Sequence, residues 1–518
     1  MQIIRSTGDP TNPSPTIRIR GAGSLSASTT PLIVVDGAPY SGAISDINPN
    51  DVESMSILKD AAASAIYGHR GANGVIIITT KKGQTGSATV KLDARFGSNS
   101  RLIPQYDVID DPGQYYETFY KLLYGQYYYS GHSDADSHAY ANKYLFDQLN
   151  GGLGYQVFTV PEGQNLVGTN FRLNPNATLG YTDGEYYYTP DDWYKEVFHN
   201  SFRQEYNLSV SGAANNFNYY ASLGYLDDGG IINNSDYKRY TARINTDYQV
   251  KPWMKFQTNV SYSLSNSQTN NYNGSWGSSG NLFYITNNMG AIYPLYVRNA
   301  DGSLKTENGR QIYDSNQTNF MRPSVVGNAV RDNEYNSNKT YTDIFMGQYG
   351  ATVTPIEGLD LTANLAATSI NRRQNALYSV FASGAASDGG VDVNHSRTFS
   401  INQQYMANWN KTFNDVHNLG ILVGYEQYKY KYSYLEGYND HLYDPYIGEL
   451  DNAKGMDQKS VGSYTDNKMN EGFFGRLQYD YNNKYFFNAS VRLVFWGIHF
   501  LLSFVIGFIG LGSQLLQV

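Results

Sequence analysis

The sequence predicts two kinds of structure in one chain of 518 residues: a small α/β unit at the front, followed by antiparallel β-strands that cross a membrane. Three observations predict this. Tyrosine and glycine are abundant, with 48 and 50 residues, while only 16% of residues are charged, which favours strands joined by turns over helical bundles. From about Thr89 onward, apolar and polar residues alternate in segments of strand length. The connections between these segments are alternately long and short, as in an outer-membrane barrel.

Charge and cysteine content exclude several classes of function. The formal net charge is −8 and the pI is near 5.5, so the chain offers no broad basic surface and we expect no nucleic-acid partner. The chain contains no cysteine. This removes disulfides, thiolate metal sites and cysteine nucleophiles together.

Residues 1–80 have the pattern of a mixed α/β unit. We expect strands in "IRIRG", "PLIVVDGAPY" and "SMSILK", a helical turn in "NPNDVE" and a helix in "DAAASAIYG". The stretch "GHRGANGVIIITTKKG" predicts a further strand, Val75 to Thr80, after a glycine hinge, because glycine adopts backbone angles that other residues avoid. A phosphate-binding loop is disfavoured, since such loops precede a helix, whereas these glycines precede a strand.

The segment "SFRQEYNLSVSG" shows the alternation that follows. Tyr206 and Leu208 share one face of the predicted strand, and Arg203 and Glu205 share the other. The next strand repeats the pattern after the short turn 213–216, so the two strands are predicted to pair as an antiparallel hairpin. We expect Tyr206 and Leu208 to face outward, and Arg203 and Glu205 to face the enclosed side.

About eleven such strands are predicted, each at least the ~10 residues of a membrane-barrel strand. They lie near residues 89–99, 202–212, 217–226, 236–249, 253–268, 341–354, 359–373, 398–413, 418–434, 470–481 and 484–492. Short turns at 213–216, 250–252, 355–358, 414–417 and 482–483 alternate with long connections that include 100–201, 269–340 and 435–469. One long loop is predicted to hold a helix, because Asp111 suits the N-cap and Pro112 the first helical position.

A soluble β protein also alternates, with its apolar face on a core. The alternative interpretation is therefore a soluble or surface-attached β-rich protein that binds glycans or hydrolyses them. The alternation of long and short connections, and the tyrosines that border the apolar stripes, favour the interpretation as membrane strands. Side-chain direction separates the two: Arg203 and Arg243 turned away from the enclosed side, with Leu208 and Ile244 turned into it, would indicate a soluble core.

Three segments of the front unit carry a family resemblance: "IRIRGAGSL", "PLIVVDGAPYSG" and "INPNDVESMSILKDAAASAIYGHRGANGVIIITTKKG". Across residues 17–83 they resemble the plug of a TonB-dependent outer-membrane transporter, specifically the SusC/RagA type of Bacteroidetes. His69 departs from the pattern, which more often has serine there. The residues that match the plug signature are Arg18, Arg20, Gly21, Asp36, Gly37, Tyr40, Asn48, Pro49, Asp51, Lys59, Asp60, Tyr67, Gly68, Arg70, Gly71, Asn73 and Gly74.

The resemblance implies a plug folded inside the lumen of a barrel. Polar residues on the enclosed side, such as Arg203, Glu205, Arg239 and Arg243, would then face the polar surface of the plug. The stretch around Arg18 either contributes to that contact or lies in solvent.

The resemblance also implies a function and partners. The family imports oligosaccharides or peptides across the cell outer membrane, and we favour glycans here. A SusD-type surface lipoprotein supplies the substrate, and the TonB-ExbB-ExbD energy complex drives uptake. Neither the residues nor the resemblance indicates an enzyme or a cofactor.

The resemblance sets expectations for domain limits. Residues 1–83 are expected to form the plug without its first part, with earlier family segments absent before Met1. Residues 84–492 are expected to form the first half of a 22-stranded barrel. Residues 493–518 carry neither charge nor alternation. A spanning helix there, ~20 residues long, would fit poorly beside half a barrel, so we expect a shifted reading frame or a truncated gene, and no transport by the chain as given.

Motifs for metal binding or catalysis are weak in this sequence. The eight histidines show no ligand spacing, so neither metal nor catalytic residues are predicted. Acidic segments such as "SDADSH" could bind calcium but lack the EF-hand spacing, which favours solvated loops. Loop aromatics could stack on sugar rings or pack loops against each other; the candidates are Tyr127, Tyr128, Tyr186, Tyr187 and Trp276.

Overall fold

The front unit, seen in a computed structural model, is built on short strands. The structure describes residues 2–5, 8–11, 15–19, 29–59, 67, 70–84, 86–102, 107–269, 282–320, 327–382, 388–455, 461–496 and 499–509. The strands in the described part of this unit are β1 (Gln2–Ile4), β2 (Thr16–Arg18), β3 (Leu32–Val35), β4 (Ala38–Tyr40), β5 (Val52–Leu58) and β6 (Val75–Thr80).

Strands β4, β3, β6 and β5 form a mixed sheet in that order, with β3 parallel to β6. Val34, Val75 and Ile76 are fully buried in it, as expected for a β-branched run. The strands predicted here are present, and the predicted helical turn is a 3-10 turn, Pro49–Asp51, preceded by another at Ile44–Asp46. The helix predicted in "DAAASAIYG" lies outside the described residues except for Tyr67.

The first strand of the large sheet, β7 (Gly86–Asn99), precedes a long folded connection. The Asp111 side chain accepts a hydrogen bond from the Gln114 N–H at 2.6 Å and Pro112 begins the helix, so this prediction is confirmed. The elements of the connection are β8 (Phe158–Thr159), β9 (Thr178–Leu179), β10 (Tyr181–Thr182), β11 (Tyr187–Tyr188), α1 (Pro112–Tyr128), α2 (Asp134–Tyr144), α3 (Trp193–Val197) and the 3-10 turn Gln148–Asn150.

The remaining elements complete the large sheet and its second long connection. The first four strands are β12 (Ser201–Ala214), β13 (Phe217–Gly229), β14 (Asp236–Lys251) and β15 (Met254–Thr269). The second connection contains α4 (Leu282–Asn288), β16 (Thr306–Glu307), β17 (Arg310–Gln311) and α5 (Ala329–Tyr335). The last strands are β18 (Ser337–Ile356), β19 (Leu359–Tyr378), β20 (Gly390–Phe413), β21 (His417–Asp440), β22 (Val461–Tyr481), β23 (Tyr485–Trp496) and β24 (His499–Ile509), with a 3-10 turn at Leu450–Asn452.

Within the described residues, β7, β12–β15 and β18–β24 form one 12-stranded antiparallel sheet in chain order, and the short strands of the two long connections pair separately. It contains all eleven predicted strands and one more, β24. The predicted short turns are confirmed, and residues with positive φ occupy several of them, including Asn215, Asn414 and Asn482. Asparagine tolerates this conformation better than most residues, which explains its place between paired strands.

The two faces of the sheet point as predicted for membrane strands. Strand β12 pairs with β13, Leu208 opposite Leu223. Leu208 is 40% exposed and Ile244 55% exposed, whereas Glu205 is 6% exposed and Arg243 5% exposed. The polar face is therefore covered, by the plug, and the apolar face is open. This is the opposite of the arrangement expected for a soluble core.

The apolar tail forms strands in its described part, and not the spanning helix considered from the sequence. Leu493 lies in β23, opposite Leu502 of β24, and the pairing extends to Phe486 opposite Ile509. Aromatic and β-branched residues suit a strand, and β24 satisfies the backbone groups along the edge of β23. Residues 497–498 and 510–518 lie outside the described part. The reading-frame hypothesis stays a prediction, tested by the nucleotide sequence after the Arg492 codon.

The helices in the described ranges are short or polar. None of them is both long and apolar enough to cross a membrane.

Candidate functional site

The plug meets the polar face of the large sheet through the turn that precedes β5. Asn48 caps the 3-10 turn Pro49–Asp51, and its side chain accepts a hydrogen bond from the Asn50 N–H at 3.0 Å. The same side chain donates to the Asn207 amide oxygen at 2.8 Å and the Thr241 hydroxyl at 3.2 Å. Asn48 therefore both orders the turn and holds it against strands β12 and β14.

The carboxylate of Asp51 is the most completely enclosed acid in this contact, with 3% of the residue exposed. It accepts hydrogen bonds from the Tyr220 hydroxyl at 2.8 Å and the Ser222 hydroxyl at 2.6 Å. Its other oxygen lies 3.4 Å from Nε of Arg243. A buried carboxylate without partners would be unstable. The donors and the arginine that stabilise the charge of Asp51 all come from the wall of the sheet.

Asp36 brings a second plug carboxylate to the same arginine. It occupies a tight turn with Gly37, with φ of 49° and 91°. Its side chain accepts hydrogen bonds from the Thr80 N–H at 2.8 Å and the Thr80 hydroxyl at 2.7 Å. Nη1 of Arg243 lies 3.9 Å from it. Arg243 is thus shared between Asp36 and Asp51, and Asn245 of the same strand donates to the Thr80 hydroxyl at 2.8 Å.

A separate charged contact joins the plug to strand β21. Nη2 of Arg70 lies 3.1 Å from Oε1 of Glu426, and its guanidinium lies 4.5 Å from the centre of the Tyr428 ring. The Tyr428 hydroxyl is 3.1 Å from the Ser41 hydroxyl of the plug. On the other side, Nη2 of Arg492 lies 2.5 Å from Oε2 of Glu426. One buried carboxylate therefore receives a cation from the plug and another from the wall.

The polar wall residues singled out in the sequence mostly contact the plug. Glu205 accepts a hydrogen bond from Asn50 at 3.2 Å, and Arg239 donates to the backbone oxygen of Ser45. Arg203 differs, since it pairs with Glu205 at 2.9 Å within the wall itself. The expectation of a polar wall facing the plug is therefore right, whereas Arg203 makes no contact with those plug residues that the structure describes.

Asp46 is a further enclosed acid of the plug. Burial raises its pKa, against the effect of the Ala43 N–H and the Arg239 and Arg372 guanidinium groups, which favour the ionised form. The plug surface therefore carries one acid that holds its proton more tightly than usual, beside Asp36 and Asp51, which accept hydrogen bonds and lie near Arg243.

One glycine of the plug signature has a clear steric reason. Gly74, immediately before β6, has φ of 93°, and a Cβ there would lie 2.9 Å from Cδ1 of Ile19. Gly71 is buried, and its carbonyl accepts a hydrogen bond from the Gly74 N–H at 2.9 Å. The glycine hinge is therefore both a turn and a close approach to β2.

The positions of the other signature residues say less about how the plug contacts the wall. Tyr40 is buried, Asn73 donates to the Thr30 carbonyl at 3.3 Å, and Lys59 and Arg18 are exposed. The exposure of Arg18 favours the solvated alternative for that stretch. Arg20, Gly21, Asp60 and Gly68 lie outside the described residues.

The loop aromatics are mostly engaged by other loop residues. Tyr127 stacks on Tyr140 with ring centres 4.3 Å apart, and Tyr186 receives the Lys305 amine 4.7 Å from its ring centre. Tyr187 is half-buried, while Tyr128 is 42% exposed. Packing between loops thus accounts for most of this set. Trp276 lies outside the described residues.

The chemistry of the contact suits docking rather than catalysis. In the described part of the chain, no three His, Asp or Glu side chains lie together as metal ligands. Each neutral hydrogen bond contributes only about 1 kcal/mol net, because water can replace either partner. The plug is held by such bonds, by a few ion pairs and by one apolar cluster, in which Val35, Tyr40 and Ile78 pack with Ile344 and Met346 of β18.

Several residues of this contact were not singled out from the sequence. They are Asn207, Tyr220, Ser222, Asn245, Glu426 and Tyr428. The available signal was position: each lies on the enclosed face of its strand, where a polar residue needs a partner. The pairing partner could not be read from the sequence, because it depends on how the plug is oriented.

Comparisons with known proteins agree with this geometry. The family described as TonB-dependent Receptor Plug Domain matches residues 2–75. The TonB-dependent receptor SusC of Bacteroides thetaiotaomicron is 26% identical over 513 residues, 95% of this chain and 44% of SusC. The TonB-dependent receptor P26 of Formosa agariphila is 25% identical and is covered to 42% of its length. The chain is related to the SusC/RagA-type TonB-dependent transporters.

Solved structures of this type share the fold. The RagAB peptide transporter superposes with a TM-score of 0.71 at 24% identity, covering 95% of this chain and 52% of the RagAB chain. The closed-closed state of the RagAB peptide importer gives 0.72 at 23% identity. The chain thus shares with these structures the fold of a plug against an antiparallel wall, and it spans about half the length of these relatives.

Proposed function

We propose that the chain contributes the plug and adjoining barrel wall of a TonB-dependent importer in the outer membrane. The observation that carries the proposal is the polar docking of the plug on the enclosed face, centred on Asp51 with Arg243 and on Arg70 with Glu426. A plug that blocks a lumen must leave or rearrange to let a solute pass. Hydrogen bonds and ion pairs that water can replace suit that step.

We further propose a SusD-type surface lipoprotein and the TonB-ExbB-ExbD energy complex as partners. SusC/RagA-type relatives support the first, and the plug family supports the second. We favour glycans as the imported solute, with peptides as the alternative because the similar RagAB protein is described as a peptide transporter. The relatives are receptors or transporters, which supports transport rather than catalysis.

The experiment is growth, on defined glycans or on peptides as the only nutrient, of a source bacterium whose gene is first shown by its nucleotide sequence to continue in frame past Arg492. Deleting the gene should abolish growth on one class and leave growth on free monosaccharides or amino acids unchanged. Restoring the gene should restore growth. Unchanged growth on both polymer classes, with the protein present in outer membranes of the parent, would contradict the proposal.

A further inference from the structure

Strand β21 carries two lysines on the lipid-facing side of the sheet. Lys429 lies opposite Ile401 of β20 and Met469 of β22, and Lys431 lies opposite Phe399. Phe399 is 38% exposed and Met469 is 43% exposed. Residues on the other face of β21, such as Glu426, are buried against the plug. The two lysines therefore point away from the plug, where a charge in hydrocarbon would be unfavourable.

Their height along the strand places them at the membrane surface. Tyr405, Tyr425 and Phe473 form one cross-strand row on the outward face, with ring centres 6.4 Å and 5.1 Å apart. Such a row marks the interface at the edge of the apolar band. On β21 the apolar band runs from Leu419 to Tyr425, and the next outward row, which holds Gln403, Gln427 and Glu471, is polar. Lys429 and Lys431 follow directly, on the side of the long connections.

The lysines border a groove of about 360 Å³ on this face. Its apolar lining includes Phe399, Ile401 and Met469, and its polar lining includes Lys429 and Lys431. An apolar floor beneath two ammonium groups matches an amphiphile whose acyl chain lies on the sheet and whose head carries negative charge. Neither the barrel wall nor the plug uses this groove.

A third cation lies beside the groove. Arg397 occupies the outward position diagonal to Lys431, about 7–8 Å away between Cα atoms. Within the described ranges, no carboxylate lies within ion-pair distance of Arg397, Lys429 or Lys431. One outward acid, Glu471, lies diagonal to Lys429 and accepts hydrogen bonds from the Tyr425 hydroxyl and the Gln427 amide.

We propose that this groove binds a phosphate-bearing lipid of the outer leaflet. The phosphate lies among Lys429, Lys431 and Arg397, and an acyl chain covers Phe399 and Ile401. Lysine binds phosphate as a point charge and arginine as a fork of donors. The site depends on the outer-membrane location, and it is independent of which solute is imported, so it extends the proposed function rather than restating it.

The test is native mass spectrometry of the full chain extracted from outer membranes, with lipid A that carries two phosphates and with the same lipid dephosphorylated. The variant K429Q/K431Q/R397Q removes the three cations. K411Q is the matched control, since Lys411 faces outward opposite Leu419 at the other end of β20. Each cation lost should weaken retention of the phosphorylated lipid about fivefold, and K411Q should retain it fully.

Two results would overturn the proposal: equal retention by the triple variant, or equal retention of the dephosphorylated lipid by the unaltered protein, which would indicate an apolar groove alone. Heat-modifiable mobility on gels checks that each variant folds. K429R/K431R keeps the charge and should keep the lipid, so a variant that loses binding with charge retained would also contradict the assignment. Single glutamine variants replace the triple one if it does not fold.

Discussion

Nη2 of Arg70 on the plug lies 3.1 Å from Oε1 of Glu426 on the wall, although the two residues are 356 positions apart in the chain. Glu426 is 4% exposed, and its second oxygen is held by Arg492 at 2.5 Å. The carboxylate therefore neutralises a plug cation and a wall cation at once. Its loss would leave two guanidinium groups close together in a buried place.

Glu426→Gln should loosen the plug, because removing one partner of a buried ion pair costs about 3–5 kcal/mol. Hydrogen exchange of the β6 amides, measured in detergent, should become faster. Glu436→Gln is the matched control, since Glu436 is an exposed acid further along the same strand. Equal exchange in both variants would mean that the Arg70 contact does not hold the plug.

Asp51→Asn should weaken the other docking contact. The amide keeps the shape of the carboxylate but leaves Arg243 with Asp36 alone, and hydrogen bonds to a charged group are worth about 1.5–3 kcal/mol. Protease cleavage within the plug, followed by mass spectrometry, should become faster. Glu53→Gln, at an exposed plug acid, should leave the cleavage rate unchanged. Slow cleavage in both variants would contradict the role of Asp51 in holding the plug.

Gly74→Val should impair plug folding and, with it, uptake. A β-branched residue disfavours φ of 93°, and the new Cβ would approach Cδ1 of Ile19 to 2.9 Å. Gly37→Val is the control, since Gly37 has φ of 91° but nothing within 4 Å of its Cβ position. Both variants share the backbone strain of about 1–3 kcal/mol. Only Gly74→Val adds crowding, so it should retain less protease-resistant plug than Gly37→Val.

We expect acid to weaken the hydrogen bonds that Asp183 accepts, and so to loosen the first long connection around it. Partial burial raises its pKa, but hydrogen bonds from the Tyr186 N–H, the Asn319 amide and the Tyr188 hydroxyl outweigh this and lower the pKa from 3.8 to about 2. A lowered folded-state pKa contributes stability above the unfolded value, which is lost as pH falls from about 4 towards 2.

Pepsin cleavage near Asp183 measures this loosening, because the protease is active over the same pH range. The unaltered loop should become sensitive as pH falls through the window. Asp183→Asn should be sensitive throughout and show no such pH dependence. A wild-type loop whose cleavage follows only the activity profile of pepsin would contradict the assignment.

The sequence predicted the faces of the strands well, because the two-residue period is local. Tyr206 and Arg203 fall on opposite faces whatever the strand pairs with, and the short turns fix which strands are neighbours. The helix cap at Asp111 was predictable for the same reason, since it depends on residues within one turn.

The docking contacts were less predictable, because they join residues far apart in sequence. Asp51 belongs to the plug signature. Its partners Tyr220 and Ser222 could be assigned from the sequence only to the polar face of a strand. Arg203 shows the limit of that reasoning, since it pairs within the wall. The tail shows a second limit of sequence reasoning. A run of apolar residues such as Leu493–Gly512 does not distinguish a helix from strands that extend a sheet at its edge.

The central claim is that one face of the sheet meets lipid and the other meets the plug, and single-cysteine labelling tests it most directly. The chain has no native cysteine, so Ile244→Cys and Asn245→Cys each provide one site, on adjacent residues of β14. After reconstitution with brominated lipid, a fluorophore attached at position 244 should be strongly quenched, whereas position 245, covered by the plug at Thr80, should resist labelling. Quenching by lipid at 245, with 244 protected, would contradict the account.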